Sequence, residues 1–213
     1  MKLCLVLADA ELELAPELPK ERDEFDTMRS FQNIPVLDAY FHSELVKGLP
    51  EGNRRGRPDI VHKCLSLCQN SIPNRKNMLE VFVHTREDRV ITVDPQVDIP
   101  PNYVEFLNEM GRLLKGESVD GFTIASKDLR QLMVEIGADH VIAMSPSGDE
   151  RSLKETMEKR SSGKVAAIIG AFPRGDYHSP VYELADAKIS LGPELLTAPS
   201  VVSEVLSAVP KKR

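Results

Sequence analysis

Seven short runs of apolar and β-branched residues recur along the 213-residue chain: Leu3 to Leu7, Met78 to Val83, Val90 to Val93, Gly121 to Ala125, Val141 to Met144, Val165 to Ile169 and Ala187 to Leu191. Most are apolar at every position and do not alternate. A strand with one wet face alternates; one without polar positions must be covered on both faces, as in a largely parallel sheet. Between the runs lie stretches of helical periodicity, Val36 to Val46, Asp59 to Cys68, Asn102 to Leu114, Lys127 to Ile136, Glu150 to Glu158 and Ala198 to Leu206. Strands alternating with helices predict an α/β layer fold with helices on both faces of the sheet.

Local chemistry sets several boundaries. Pro58 suits the first turn of the following helix, and Asp59 places a carboxylate near that helix's positive end. Gly137 is placed to close a helix as a C′ glycine. Pro95, Pro100 and Pro101 keep the segment before the Asn102 helix extended. Met78 to Asp94 reads as a hairpin about a polar turn from Arg86 to Arg89. The length suits one large domain carrying an insertion, without internal repeat or long linker. The single domain is expected to span 1–213, with about 36–120 carrying the basic loop and hairpin and 121–213 carrying the pocket-forming loops.

Charged residues make up 28% of the chain and hydrophobic residues 41%, which excludes a wholly disordered chain. No apolar run approaches the roughly 20 residues of a membrane span, and Leu3 to Ala8 lacks the flanks of a signal peptide. The odd set Cys4, Cys64 and Cys68 suits a reducing cytoplasm and lacks the paired ligands of a structural metal site, so no metal is expected. A net charge of -6 weighs against a nucleic-acid partner. Its distribution matters more: eight acidic residues against two basic ones crowd Asp9 to Asp26, whereas Lys47, Arg54, Arg55, Arg57 and Lys63 face only Glu51 and Asp59 between Lys47 and Lys63. A local basic patch is therefore expected on an acidic protein.

Two constellations can carry chemistry. The first, Arg54-Arg55-Gly56-Arg57-Pro58-Asp59-Ile60-Val61-His62, is a basic loop running into a helix, which can bring guanidinium groups to phosphates and hold Arg57 and Asp59 in fixed relation. On pattern alone it equally describes a solvated loop with a helix-start aspartate. The second is a pair of loops after strands, Gly170-Ala171-Phe172-Pro173-Arg174-Gly175 and Ser190-Leu191-Gly192-Pro193-Glu194-Leu195-Leu196-Thr197-Ala198. Glycines there permit close approach of backbone to a ligand, and neighbouring loops at carboxyl ends of strands suggest a crevice for a small molecule. The pattern does not name that ligand.

Arg57-Pro58-Asp59-Ile60-Val61-His62, Asn74-Arg75 before Leu79 to Thr85, Asp94-Pro95-Gln96, Ile99-Pro100, Ile169-Gly170-Ala171-Phe172 and Ile189-Ser190 stand in the order and spacing of the ribosome-biogenesis pseudouridine N1-methyltransferases of the SPOUT class. The resemblance covers about Val36 to Leu206 and is weakest in the acidic segment before it. It implies an archaeal-type, homodimeric member: a parallel sheet with helices on both faces, a hairpin-containing insertion and a C-terminal trefoil knot, a connection otherwise nearly absent from proteins. It implies S-adenosylmethionine as cofactor, held by Gly170, Ala171 and Gly175 of the first loop and Leu191, Leu196, Thr197 and Ala198 of the second.

The implied reaction is methylation of a pseudouridine in small-subunit ribosomal RNA. Asp59 would hydrogen-bond the base or take its N1 proton, and Arg57 would stabilise charge developing on the ring and keep Asp59 ionised. A base inside a duplex is out of reach, so the target is expected to be flipped or in a loop. Arg54, Arg55, Arg57 and Arg75 are the expected RNA contacts. Asp98, Pro101 and Glu105 stand where many relatives carry RNA-binding arginines, which implies a smaller footprint or a different RNA partner. His62, one turn beyond Asp59, and His84, at a strand end, are weaker candidates, as are Phe172 and Arg174. Two other readings fit the same residues: a non-catalytic, RNA-binding assembly factor, and a methyltransferase acting on a different base.

Overall fold

The computed structural model describes residues 1–16, 34–150, 152–160 and 162–210; the acidic residues from position 17 to 26 lie outside them. Seven strands form one sheet: β1 (Lys2–Ala10), β2 (Leu79–Thr85), β3 (Arg89–Val93), β4 (Phe122–Ser126), β5 (His140–Glu150), β6 (Lys164–Gly170) and β7 (Ala187–Ser190), in the order β4-β3-β2-β1-β6-β5-β7. The helices are α1 (Ser43–Lys47), α2 (Pro58–Gln69), α3 (Ile72–Arg75), α4 (Tyr103–Leu114), α5 (Leu129–Ile136), α6 (Leu153–Glu158), α7 (Val181–Leu184) and α8 (Ala198–Ala208).

The sheet is mixed, a parallel part as expected together with the expected hairpin. β1 runs parallel to β2 and β6, and β5 runs parallel to β6 and β7. β3 and β4 are antiparallel additions at the edge. The short turn after β2 can return the chain only in the opposite direction, since a parallel neighbour needs a long crossover.

β1 shows why its sequence lacks a polar face. Leu3, Leu5 and Leu7 belong to a core with Ile60, Leu65, Phe106 and Val205, whereas Cys4, Val6 and Ala8 belong to a second core with Leu129, Leu132, Ile136 and Val181. One face is thus covered by α2, α4 and α8 and the other by α5 and α7. Each fully buried Leu or Ile contributes about 1.5–3 kcal/mol to that packing.

Two expected helices begin late. Val36 forms an isolated antiparallel bridge with Leu14, and Asp38 Oδ1 accepts hydrogen bonds from the amides of Tyr40 (2.8 Å) and Phe41 (3.1 Å). This aspartate-centred turn competes with helix, so α1 starts only at Ser43. Residues through Glu150 extend β5, and α6 waits for Ser152, whose hydroxyl caps the amide of Glu155. Pro58 and Gly137 act as expected, the latter in the left-handed region at φ 57°.

Candidate active site

The carboxyl ends of the parallel strands open onto a cavity of about 600 Å³, a size suited to a small ligand. Three segments meet there. The loop after β6 brings Gly170 and Phe172 to Tyr177; the loop after β7 brings Ser190 to Gly192 and Glu194 to Ala198; the start of α2 brings Arg57, Asp59, Ile60 and Lys63. Met144, Ser145 and Pro146 of β5 complete the wall. Residues more than one hundred positions apart thus share one site because β1, beside β6, ends next to the loop that precedes α2.

Arg57 and Asp59 form a two-pronged ion pair, with Nε 2.7 Å from Oδ1 and Nη2 3.1 Å from Oδ2. Lys63, one helical turn on, donates to Oδ2 at 3.3 Å. Burial works against the charged carboxylate, but the Arg57 hydrogen bonds and charge, with Lys63 behind them, outweigh it and hold Asp59 below the usual carboxylate range. Asp59 is therefore an ionised acceptor at neutral pH. Its bond to Asp59, despite burial, likewise raises Arg57 above the usual arginine range.

The glycines of the loops have different tasks. A Cβ on Gly170 would lie 2.5 Å from the Phe172 ring, so only glycine lets that ring fold back over the end of β6. Gly192, at φ 137°, has open space where a Cβ would be, while its carbonyl accepts from the Ser190 hydroxyl at 2.9 Å and its amide donates to that hydroxyl at 3.3 Å. Thr197 lines the cavity, but its hydroxyl accepts the amide of Ser200 and caps α8. Gly175, Leu191, Leu196 and Ala198 also line it. Ala171 does not: it is fully buried behind the wall, its amide donating to the Ala8 carbonyl and its own carbonyl accepting from Glu11.

The basic loop is not the patch its sequence suggests. Arg54, only 4% exposed, donates from Nε to Glu11 Oε1 (2.6 Å) and from Nη1 to the carbonyl of Asp176 (2.7 Å). Arg55 forms a two-pronged pair with buried Glu13. Glu11 and Glu13 lie at the start of the acidic segment, so these two carboxylates neutralise Arg54 and Arg55 in the fold. Neither arginine stands free for a phosphate. Arg75 ends α3 on the surface, apart from the residues that line the cavity.

The exposed cations at the cavity are instead Lys63 and Arg174. Lys63 was within reach of sequence reasoning, because positions i and i+4 share a helix face; the Glu11 network was not. His62 turns away, its Nε2 2.7 Å from the Pro100 carbonyl and its ring 4.6 Å from that of Phe106. His84 is buried, with Nε2 3.0 Å from Asp88 Oδ1. Tyr177 and Tyr182 line the wall without having been flagged by any motif; the Tyr177 hydroxyl donates to the Met144 carbonyl at 2.7 Å. Among the described residues no group of three or more His, Cys, Asp or Glu could hold a metal ion, and no helix is long and apolar enough to cross a membrane.

Residues 5–210 match the EMG1/NEP1 methyltransferase family. The chain is 38% identical to the ribosomal RNA small subunit methyltransferase Nep1 of Thermococcus kodakarensis, over 96% of each chain. It is 35% identical to the protein of the same name from Methanothrix thermoacetophila, over 96% of this chain and 93% of that one. The crystal structure of Archaeoglobus fulgidus Nep1 bound to S-adenosylhomocysteine superposes with a TM-score of 0.80 at 30% identity, covering 98% of this chain and 97% of that one.

Proposed function

The chain belongs to the EMG1/NEP1 methyltransferase family, and from that premise we propose that it transfers the methyl group of S-adenosylmethionine to N1 of a pseudouridine in small-subunit ribosomal RNA during ribosome biogenesis. One observation carries this reading: the Arg57–Asp59 pair lines the same cavity as the two glycine-bearing loops. The Archaeoglobus fulgidus relative was solved bound to S-adenosylhomocysteine, the demethylated product of that cofactor.

The cavity suits the cofactor in size and in the open space beside Gly192. Gly170, Gly175, Leu191, Leu196, Thr197 and Ala198 would hold it there, with Ala171 supporting them from behind through its bonds to Ala8 and Glu11. When bound, S-adenosylmethionine supplies an electrophilic methyl group. The chain's own residues must present the nucleophile and deal with the N1 proton. Ionised Asp59 accepts a hydrogen bond from the base and orients it, and Arg57 lies where negative charge develops on the ring as the N1 proton leaves. Held below the usual carboxylate range, Asp59 orients and polarises N1–H and passes the released proton on to water rather than keeping it. Arg57, Lys63 and Arg174 would meet the RNA backbone near the target, with Arg75 farther out.

A second copy of the chain and a cytoplasmic setting belong to the same proposal. The three cysteines are free and buried, as suits a reducing compartment, and Leu195, 83% exposed at the cavity mouth, offers apolar surface to a second copy. The C-terminal knot implied by the resemblance would be the connection that brings the loops after β6 and β7 together.

The test is methyl transfer to two RNA stem–loops that differ only in carrying pseudouridine or uridine. Transfer confined to the pseudouridine strand is expected, and Asp59→Asn should lower it by about 10²–10⁴-fold. Equal transfer to uridine would make the protein a methyltransferase of another base. An Asp59→Asn protein that transfers nothing yet restores normal growth and subunit assembly to a deletion strain would make RNA binding its main task.

A further inference from the structure

Arg54 does not itself line the cavity, yet it holds three residues that do. Its guanidinium lies over the Phe172 ring, 3.9 Å from the centroid, and bonds the carbonyl of Asp176 at 2.7 Å and, more weakly, that of Arg174 at 3.4 Å. Its Nε is paired with Glu11. Glu11 is a junction in turn. Its amide donates to the Ala171 carbonyl, its carbonyl accepts from the Arg57 amide, and its carboxylate also binds Arg86 Nη1 at 2.9 Å. Arg86 passes the connection to Glu51, which lies 3.3 Å from His178. The far end of the same loop is pinned by Asp9, whose Oδ2 accepts the amides of His178 (2.7 Å) and Ser179 (3.1 Å).

The loop from Phe172 to Asp176 is therefore fastened to the strand end at Asp9 and, through Arg54, to the segment that carries Arg57 and Asp59. The second fastening is the less saturated one: Arg54 Nη2 is buried and without a partner in the described residues, so the guanidinium occupies its place despite one unmade bond. We infer that Arg54 is a positioning residue that couples the cofactor loop to the RNA-facing start of α2, so that cofactor and RNA strengthen each other's binding. The inference rests on the reading of the cavity given above. Ordering of the loop by the cofactor fixes the Asp176 and Arg174 carbonyls, these fix Arg54, and Arg54 with Glu11 fixes the chain three residues before Arg57. By linkage the effect must run equally in reverse.

The experiment measures binding of S-adenosylhomocysteine, and of a stem–loop carrying pseudouridine in its loop, each with and without a saturating amount of the other. In the wild type each should tighten the other by about fivefold or more. In Arg54→Lys, which can keep the Glu11 pair but not the fork across Phe172 and the Asp176 carbonyl, that factor should fall below about twofold while each ligand alone binds within about threefold of wild type. A merely structural role would weaken both ligands and leave the factor intact. Hydrogen exchange on the wild type reads the same coupling without any variant. S-adenosylhomocysteine alone should protect amides of residues 51–57, and RNA alone those of residues 174–178. A wild-type protein that binds both ligands and methylates RNA but shows no mutual tightening, or an Arg54→Lys protein with the full factor, overturns the inference and leaves the activity standing. A wild type that binds neither ligand overturns both.

Discussion

Asp59 carries three relationships at once: a two-pronged bond to Arg57, a bond to Lys63, and partial burial at the cavity. Two opposing effects act on its charge, and the cations win. A carboxylate whose pKa is lowered in the fold stabilises the protein above the unfolded value near 3.9, and loses that contribution only as the pH falls through the lower folded value. The activity should follow the same sign. Between about pH 5 and 8 no loss of kcat/KM should trace to protonation of Asp59, and any acid limb it causes should lie below about 3.9. A limb near pH 6 that vanishes in Asp59→Asn would show that the Arg57 and Lys63 pairing does not hold in solution. The arginines before Asp59 divide just as clearly. Arg55 spends its charge on Glu13, whereas Lys63 and Arg174 are exposed at the cavity. Replacing either exposed cation with Gln should lower the slope of log Kd against log salt for single-stranded RNA by about 0.7, and Arg55→Gln should leave it unchanged. The reverse pattern would return the phosphate grip to the basic loop.

At the scale of elements, the loop before α2 must deliver Arg57 in register with Asp59, and Gly56 makes that possible. It sits at φ 67°, and a Cβ there would lie 2.9 Å from the backbone amide of Ala39, which donates to the Gly56 carbonyl. Gly56→Ala should cost about 1–2 kcal/mol, from the left-handed backbone and the clash with main chain that cannot swing aside. Calorimetry should show a melting temperature lower by roughly 2–8 °C, and because misplacement of Arg57 follows, kcat should fall by about tenfold or more. A variant with normal stability and activity would mean the loop takes up the change elsewhere. The same elements mark where sequence was readable. β1 and β6 were visible because burial on both faces leaves almost no polar position to confuse the period, and Pro58 and Gly137 announced their helix ends. The late start of α1 was hidden because the Asp38 turn uses a side chain that also suits a helix. The cancellation of Arg54 and Arg55 by Glu11 and Glu13 was hidden because it joins positions 43 and 42 apart, and no local pattern reports a pairing between the end of β1 and the loop before α2. The shared cavity of Asp59 and the late loops was reached through family resemblance, not through spacing.

For the molecule as a whole, the decisive arrangement is that β1 lies between β2 and β6, so the strand bearing the N-terminus joins the half with the basic loop to the half with the loops after β6 and β7. Neither half has a core of its own: one cluster of buried residues runs from Leu3 through Leu65 and Phe106 to Ile169 and Val205. Unfolding should therefore be a single transition, and a ligand held only by the C-terminal loops should stabilise the entire chain by mass action. With S-adenosylhomocysteine at about one hundred times its Kd the gain is about 2.7 kcal/mol. For a chain of this size that raises the melting temperature by roughly 5–10 °C. The shift should appear equally whether unfolding is followed by far-ultraviolet circular dichroism or by hydrogen exchange at β2 and β3, which touch no part of the cavity. A shift confined to exchange at β5, β6 and β7, with the hairpin strands melting at their unliganded temperature, would divide the sheet at β1 and end the description of the chain as one cooperative unit.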